Sequence, residues 1–216
     1  EFGQAVTAGR LKSSVLDHFL EDTLTASDLL LRSLSQANEL VGSFKQVAVD
    51  QASAQRRRFD LKLVVEEVAA TLSPMLKKTP FKLELELADN LVMDSYPGSI
   101  GQVITNLVTN ALAHAFESRD NGTMHLSVFR NGLHMVKMVF TDDGVGIPAA
   151  DMKRVFDPFF TTKLGRGGSG LGLHIVYSLV TRVLGGKIQV SSAPGSGTRF
   201  ELLIPMKAPE TEERGP

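Results

Sequence analysis

Two hydrophobic rhythms divide the chain. In the first stretch Leu30, Leu34, Ala37, Val41, Phe44 and Ala48 are spaced 4, 3, 4, 3 and 4 residues apart. Such a seam is that of a helix packing lengthwise on other helices. Leu11, Val15 and Phe19 predict a shorter helix before it, and Thr25 and Ser27 offer capping hydroxyls for the second. The expectation for residues 9–55 is a helical hairpin. Two helices bury little, so the seam would meet another copy, a helix outside this sequence, or the rest of the chain. The polar run VDQASAQRRR (49–58) then breaks the pattern. It reads as a solvated hinge, although its arginines could also hold an anion.

From Phe59 onward the rhythm changes. Asp60 is placed to cap a helix whose apolar face is Leu61, Val64, Val65, Val68 and Leu72. FKLELELAD (81–89) alternates and predicts a strand with one solvated face. Pro97 opens a helix expected to reach about Ser118. GTMHLSVFRNGLHMVKMVF (122–140) predicts two strands around Asn131-Gly132. A glycine-rich segment, a helix near 170–184 and two strands, GKIQVSS and TRFELLIP, follow. Strands and helices are mixed without strict alternation. That predicts an α+β fold, a two-layer sandwich over 56–206. The tail 207–216 is expected to be disordered.

Composition narrows the function. Lys+Arg is 23 and Asp+Glu 24, so the net charge is −1 and the basic signature of a nucleic-acid binder is missing. With no cysteine, disulfides and thiolate zinc sites are excluded. No segment has the length and apolarity of a membrane span, and the first residues, EFGQAVTAGR, are unlike a signal peptide. The leading Glu-Phe could be a cloning scar, which would make the chain a fragment. A cytoplasmic location fits these features.

The chemistry gathers in three places. GRGGSG (165–170) has the spacing of a dinucleotide fingerprint, but no strand precedes it and no acid stands where the ribose ligand belongs. Gly168, Gly170, Leu171 and Gly172 instead lead into an apolar helix, whose free N–H groups suit phosphate oxygens. Lys163 and Arg166 add positive charge, so the loop fits either a lid over phosphates or an ordinary surface turn. TDDGVGIP (141–148) ends a strand at Asp142, and Gly144 and Gly146 bend the chain. A carboxylate there accepts hydrogen bonds only, as the amino group of an adenine requires; a calcium turn or a plain loop would show the same residues. In QVITNLVTNALAHAF (102–116), Asn106 and Asn110 lie one helical turn apart. Buried amides need partners, which a phosphate with its Mg²⁺ or a neighbouring loop would supply.

Together these motifs resemble the ATP-binding catalytic domain of sensor histidine kinases, within the wider GHKL ATPase class. The order is the asparagine helix (Asn106, Asn110), the first glycine motif (Asp142, Gly144, Gly146), FDPFF (Phe156 to Phe160), GSGLGL (Gly168, Gly170, Gly172) and GSGT (Gly195 to Thr198). The resemblance covers roughly residues 60 to 205. It implies the GHKL (Bergerat) fold, a mixed sheet with helices on one face. It also implies that Asn110 binds Mg²⁺, that Asp142 binds adenine, and that the glycine-rich loop within DPFFTTKLGRGGSGLGLHIV (157–176) is an ATP lid anchored and hinged by Phe156 and Phe159. The hairpin would be part of a dimerisation and phosphotransfer bundle, which implies a homodimer. The implied partner is a response regulator, and any membrane attachment would come through segments not included here.

Departures from the family pattern matter. A basic residue often found three after the second asparagine is Ala113 here, which leaves Lys163 or Arg166 to meet the phosphate charge. The next position, often aromatic, is His114. No phosphoacceptor motif of His followed by an acid is present. His18, between Asp17 and Phe19, is at best a degenerate acceptor, so the acceptor is expected upstream. His125, His134 and His174 read as structural or near-site. The competing readings are a GHKL ATPase clamp and an inactive nucleotide-binding scaffold. Clamp relatives carry a hydrolytic glutamate where Asn106 stands, and 102–116 holds no Glu.

Overall fold

The computed structural model describes residues 16–30, 55–117, 119–162 and 169–209. The chain divides into two units, Glu1–Lys45 and Gln46–Pro216. In the first, residues 16–30 form one helix, α1. Thr25 was expected to help cap a following helix, yet it lies inside this one, its hydroxyl donating to the Glu21 carbonyl at 2.8 Å. Thr23 does the same to Phe19. Such back-bonds satisfy a mid-helix threonine without ending the helix. The seam beyond Leu30 lies outside the described residues.

The second unit is the α+β sandwich expected. Its elements are β1 (Arg57–Asp60), α2 (Leu61–Leu76), β2 (Phe81–Leu87), β3 (Val92–Ser95), α3 (Pro97–Asn110), β4 (Gly122–Asn131), β5 (Met135–Asp142), α4 (Gly172–Ser178), β6 (Lys187–Ser192) and β7 (Thr198–Pro205). The main sheet runs β2-β4-β5-β7-β6. β2 and β4 are parallel and the other pairs antiparallel, so the sheet is mixed. Every second residue of the central strands is buried: Met124, Leu126 and Val128; Val136, Met138 and Phe140; Phe200, Leu202 and Ile204. They meet Leu61, Val65 and Leu72 of α2 and Ile100, Ile104 and Leu107 of α3 in a single core. At about 25 cal/mol per Å² of apolar surface, this one-sided burial is the main force holding helices to sheet.

Local chemistry sets the boundaries. Asp60 caps α2 as expected, its carboxylate accepting from the Lys62 N–H at 2.9 Å. Four features differ from the sequence expectation. Arg57 and Arg58 are not hinge but strand, since β1 pairs with β3, a strand that the sequence pattern does not predict. Arg56 beside them grips Asp94 through two bonds of 2.9 Å and holds that carboxyl below its ordinary pKa. The helix from Pro97 is α-helical only to Asn110 and then widens into a π-type turn over Ala111–Ala115. The β4–β5 hairpin closes with three residues, Gly132 to His134, because Asn131 still pairs with Met135. Finally, Ala208 is not tail: it is buried and donates its N–H to the Asp94 carbonyl at 2.9 Å. Among the described residues no helix is long and apolar enough to cross a membrane.

Candidate nucleotide site

A cavity of about 560 Å³ opens between α3, the ends of β5 and β7, and the segment leading into α4. The amphipathicity of α3 explains one wall. Ile100, Val103, Ile104, Leu107 and Val108 face the core, which leaves Asn106 and Asn110 on the cavity side. Asn106 Oδ1 accepts from Gln102 Nε2 at 3.2 Å. Its Nδ2 is buried with no hydrogen-bond partner in the protein. The π-type turn follows directly and carries His114 to the same wall. Such widened turns occur often at functional sites.

The opposite wall is built around Asp142, the last residue of β5. Its Oδ1 accepts from the backbone N–H of Gly144 at 3.0 Å and of Thr198 at 3.2 Å. Burial raises the Asp142 pKa above the ordinary value; these backbone donors oppose the shift and the Asp143 charge adds to it. The loop after Asp142 is clasped to the β6–β7 turn. Gly146 has φ +74°, and a Cβ there would run into the Ala193 carbonyl. Gly197 has φ +70°, and a Cβ there would run into the Asp142 carbonyl. Both positions therefore require glycine on conformational and steric grounds.

Ser192 ties the clasp. Its hydroxyl donates to the Gly197 carbonyl at 2.6 Å, accepts from the Ile147 N–H at 2.8 Å, and lies 3.2 Å from Thr198 Oγ1. Sequence reading passed over this residue, because a serine in an alternating strand carries no signal of its own.

Of the residues singled out from sequence, Asn106, Asn110, His114, Asp142, Gly146, Gly170, Gly172 and Thr198 line this one cavity. Gly144, Phe156, Phe159 and Leu171 do not. Gly144 serves from behind, its N–H holding Asp142. Phe156 stacks at a tilt on Tyr177, 5.3 Å between centroids, and its carbonyl meets His174 Nδ1 at 3.0 Å. Phe159 is half exposed at φ +66°, with its backbone packed against Gly170. Phe160, not Phe159, reaches the cavity. Lys163, Arg166 and Gly168 lie outside the described residues. Thr109, Ile147, Pro148, Asp151 and Val155 also line the cavity and had not been singled out; Ile147 and Pro148 directly follow the first glycine motif and could have been. Among the described lining residues none is Lys or Arg, whereas Asp142, Glu117 and Asp151 are acidic.

Residues 96–208 match the family described as histidine kinase-, DNA gyrase B- and HSP90-like ATPase. The chain belongs to this family. The match spans the region from Tyr96 through α3 to Ala208, so it takes in both walls of the cavity. Similar proteins point to the histidine kinase branch. The alginate biosynthesis sensor protein KinB of Pseudomonas aeruginosa is 31% identical over 84% of this chain and 30% of its own length. Sensor histidine kinase RcsC of Escherichia coli (strain K12) is 30% identical over 88% of this chain and 20% of its own. The chain thus spans a third or less of these relatives. The catalytic domain of histidine kinase ThkA, in a nucleotide-free form, superposes with a TM-score of 0.60 at 27% identity, covering 72% of this chain and 99% of that domain. The fold is that of a histidine kinase ATP-binding domain.

The donor set of this domain fits a nucleotide with a divalent ion. An unpartnered buried N–H₂ at Asn106 suits a phosphate oxygen, and a buried acceptor at Asp142 suits an amino group. Among the described residues no cluster of three or more His, Cys, Asp or Glu could hold a metal by itself. That suits Mg²⁺, which keeps waters and phosphate oxygens as most of its ligands and needs few from protein.

Proposed function

We propose that this domain binds ATP with Mg²⁺. We further propose that the protein containing it transfers the γ-phosphate to a histidine nitrogen and then to a response-regulator aspartate. The observation that carries this reading is convergence: Asp142 and Asn110, 32 residues apart in sequence, stand on the walls of one cavity. In the proposed pose Asp142 accepts from the adenine amino group, with Thr198 beside it, and Asn110 offers its amide oxygen to Mg²⁺. Asn106 donates to a phosphate oxygen and His114 lies along the nucleotide. Gly168, Gly170, Leu171 and Gly172 bring backbone N–H groups to the phosphates, with Lys163 and Arg166 closing over them. Phe156 and Phe159 hold the base of that lid.

Mg²⁺, when bound, supplies charge neutralisation at the phosphates. The chain's own residues contribute positioning and the exclusion of water. Residues 9–55 are proposed as part of the dimerisation and phosphotransfer bundle, giving a homodimer. The acceptor histidine is proposed to lie outside this sequence. The absence of a glutamate at position 106 argues against a hydrolytic clamp.

Thermal unfolding with ADP and Mg²⁺ tests the pocket. At about 100-fold the dissociation constant, ligand stabilises by about 2.7 kcal/mol; no shift at any concentration refutes nucleotide binding. Incubation with labelled ATP tests the acceptor assignment. No acid-labile phosphate is expected on the chain, and label that disappears in His18→Ala would place the acceptor at His18.

A further inference from the structure

The orphaned amide at Asn106 has a neighbour that the proposed function leaves without a task. Gln102 sits one helical turn earlier on α3, and its Nε2 donates to Asn106 Oδ1. An asparagine amide presents an acceptor on one side and a donor on the other. Gln102 takes one lone pair of the Asn106 oxygen, while the Asn106 N–H₂ is buried and unpartnered on a residue lining the cavity. Turned the other way against a Gln102 that keeps its orientation, the N–H₂ of Asn106 would face the N–H₂ of Gln102, donor against donor.

We propose that Gln102 is a positioning residue that fixes the Asn106 amide, so that position 106 meets the nucleotide as a hydrogen-bond donor to a phosphate oxygen and not as a metal ligand. The two asparagines, alike in sequence, are thereby given different work. Asn106 takes phosphate oxygen and Asn110 is left to offer oxygen to the cation. This rests on the nucleotide reading above, and it concerns residues of this chain only.

The test compares ADP binding by calorimetry, in excess Mg²⁺ and in EDTA, for the unaltered chain, Gln102→Glu, Asn106→Leu and the double variant. A glutamate at 102 can only accept, so it draws the Asn106 N–H₂ to itself and takes that donor from a phosphate oxygen. The expected result is a loss of about tenfold or more in ADP affinity for Gln102→Glu, of similar size in Mg²⁺ and in EDTA. In the Asn106→Leu background the same substitution should add little, because its effect passes through Asn106. An unchanged affinity, a loss confined to Mg²⁺, or an undiminished loss in the Asn106→Leu background would overturn the proposal; the last would mark a simple charge effect.

A second measurement does not depend on how well Gln102→Glu folds. The side-chain N–H₂ resonances of Asn106 in the unaltered chain should shift when ADP is added in EDTA, and should be displaced before ADP in Gln102→Leu. Resonances indifferent to both changes refute the assignment. Failure of the unaltered chain to bind ADP at all would count against the nucleotide reading, whereas the response of the Asn106 resonances to Gln102→Leu still decides whether Gln102 sets the amide.

Discussion

Replacing Asp142 by Asn separates what the carboxylate does for the fold from what it does for a ligand. Asp142 is 7% exposed, and both of its backbone bonds fall on Oδ1. Burial raises its pKa, so the folded state favours the protonated form. A group shifted in this direction contributes stability at low pH that is lost as pH rises through the folded pKa. At neutral pH the ionised carboxylate is therefore a cost to the fold. Asparagine keeps an oxygen for the Gly144 and Thr198 N–H groups and removes the charge, so the ligand-free Tm should hold or rise. Binding should behave in the opposite way. A hydrogen bond to a charged group contributes about 1.5–3 kcal/mol, and an asparagine N–H₂ facing an adenine amino group leaves both donors unsatisfied. Each 1.4 kcal/mol is tenfold, so affinity for ADP with Mg²⁺ should fall by about 10- to 150-fold. Differential scanning fluorimetry gives the first number and calorimetry the second. Unaltered binding within about threefold, or a Tm lowered by several degrees with the ADP response intact, would refute the reasoning. In the unaltered chain, affinity should also weaken as pH falls from neutral toward the raised pKa of Asp142, a dependence that Asp142→Asn should remove.

Ser192→Ala removes a hydroxyl that donates to Gly197 and accepts from Ile147; it should cost about 1–3 kcal/mol in denaturant unfolding and weaken ADP binding, and a variant as stable as the parent would show the clasp to be incidental. Gly197→Ala puts a Cβ at φ +70° against the Asp142 carbonyl; a loss of at least about 1–3 kcal/mol from backbone strain alone is expected, seen as a lower denaturant midpoint, and a neutral result would contradict the backbone described.

Much of the fold could be read from the sequence because its signals are local. Alternation marked β2, the Asn131-Gly132 dipeptide marked the β4–β5 hairpin, and the apolar stripe with Asp60 marked the start of α2. What stayed hidden depends on distant partners. β1 and β3 are four residues each and hold only by pairing with one another, so no period could build up within either. Lys207 and Ala208 looked like tail because their anchor, Asp94, lies more than a hundred residues away. The change from α to π geometry after Asn110 has no marker in ALAHA. At the site, glycines and lone polar residues on apolar elements were legible, since each is costly without a reason. Ser192 and Gln102 were not, because a serine at a strand end and a glutamine in a helix are unremarkable until their partners are known. Phe159 and Phe160 could not be ranked from FDPFF alone. The left-handed backbone at Phe159 and its exposure decide which ring faces the cavity.

The charge on the cavity walls leads to one more expectation. A triphosphate entering here meets Glu117 and Asp151 as well as Asp142, and no Lys or Arg among the described lining residues. Asp142 suits the base, but like charges near the phosphates repel by about 4 kcal/mol per pair at 4 Å with an effective dielectric of 20. In the proposed pose a cation intervenes, either Mg²⁺ or the side chains of Lys163 and Arg166. Ala113, which lines the cavity between Asn110 and His114, occupies the place where a basic residue would otherwise share that task. Ala113→Lys should therefore relieve the dependence on the metal. Its ADP affinity in EDTA should rise by about tenfold, a gain of 1.4 kcal/mol after solvent screening, while its affinity in Mg²⁺ should change little. The gain should shrink as salt is raised from about 0.1 to 1 M, where the screening length falls from about 10 to 3 Å. If the lysine changes neither affinity, position 113 does not stand beside the phosphates. The direction in which the nucleotide lies along α3 would then have to be reversed.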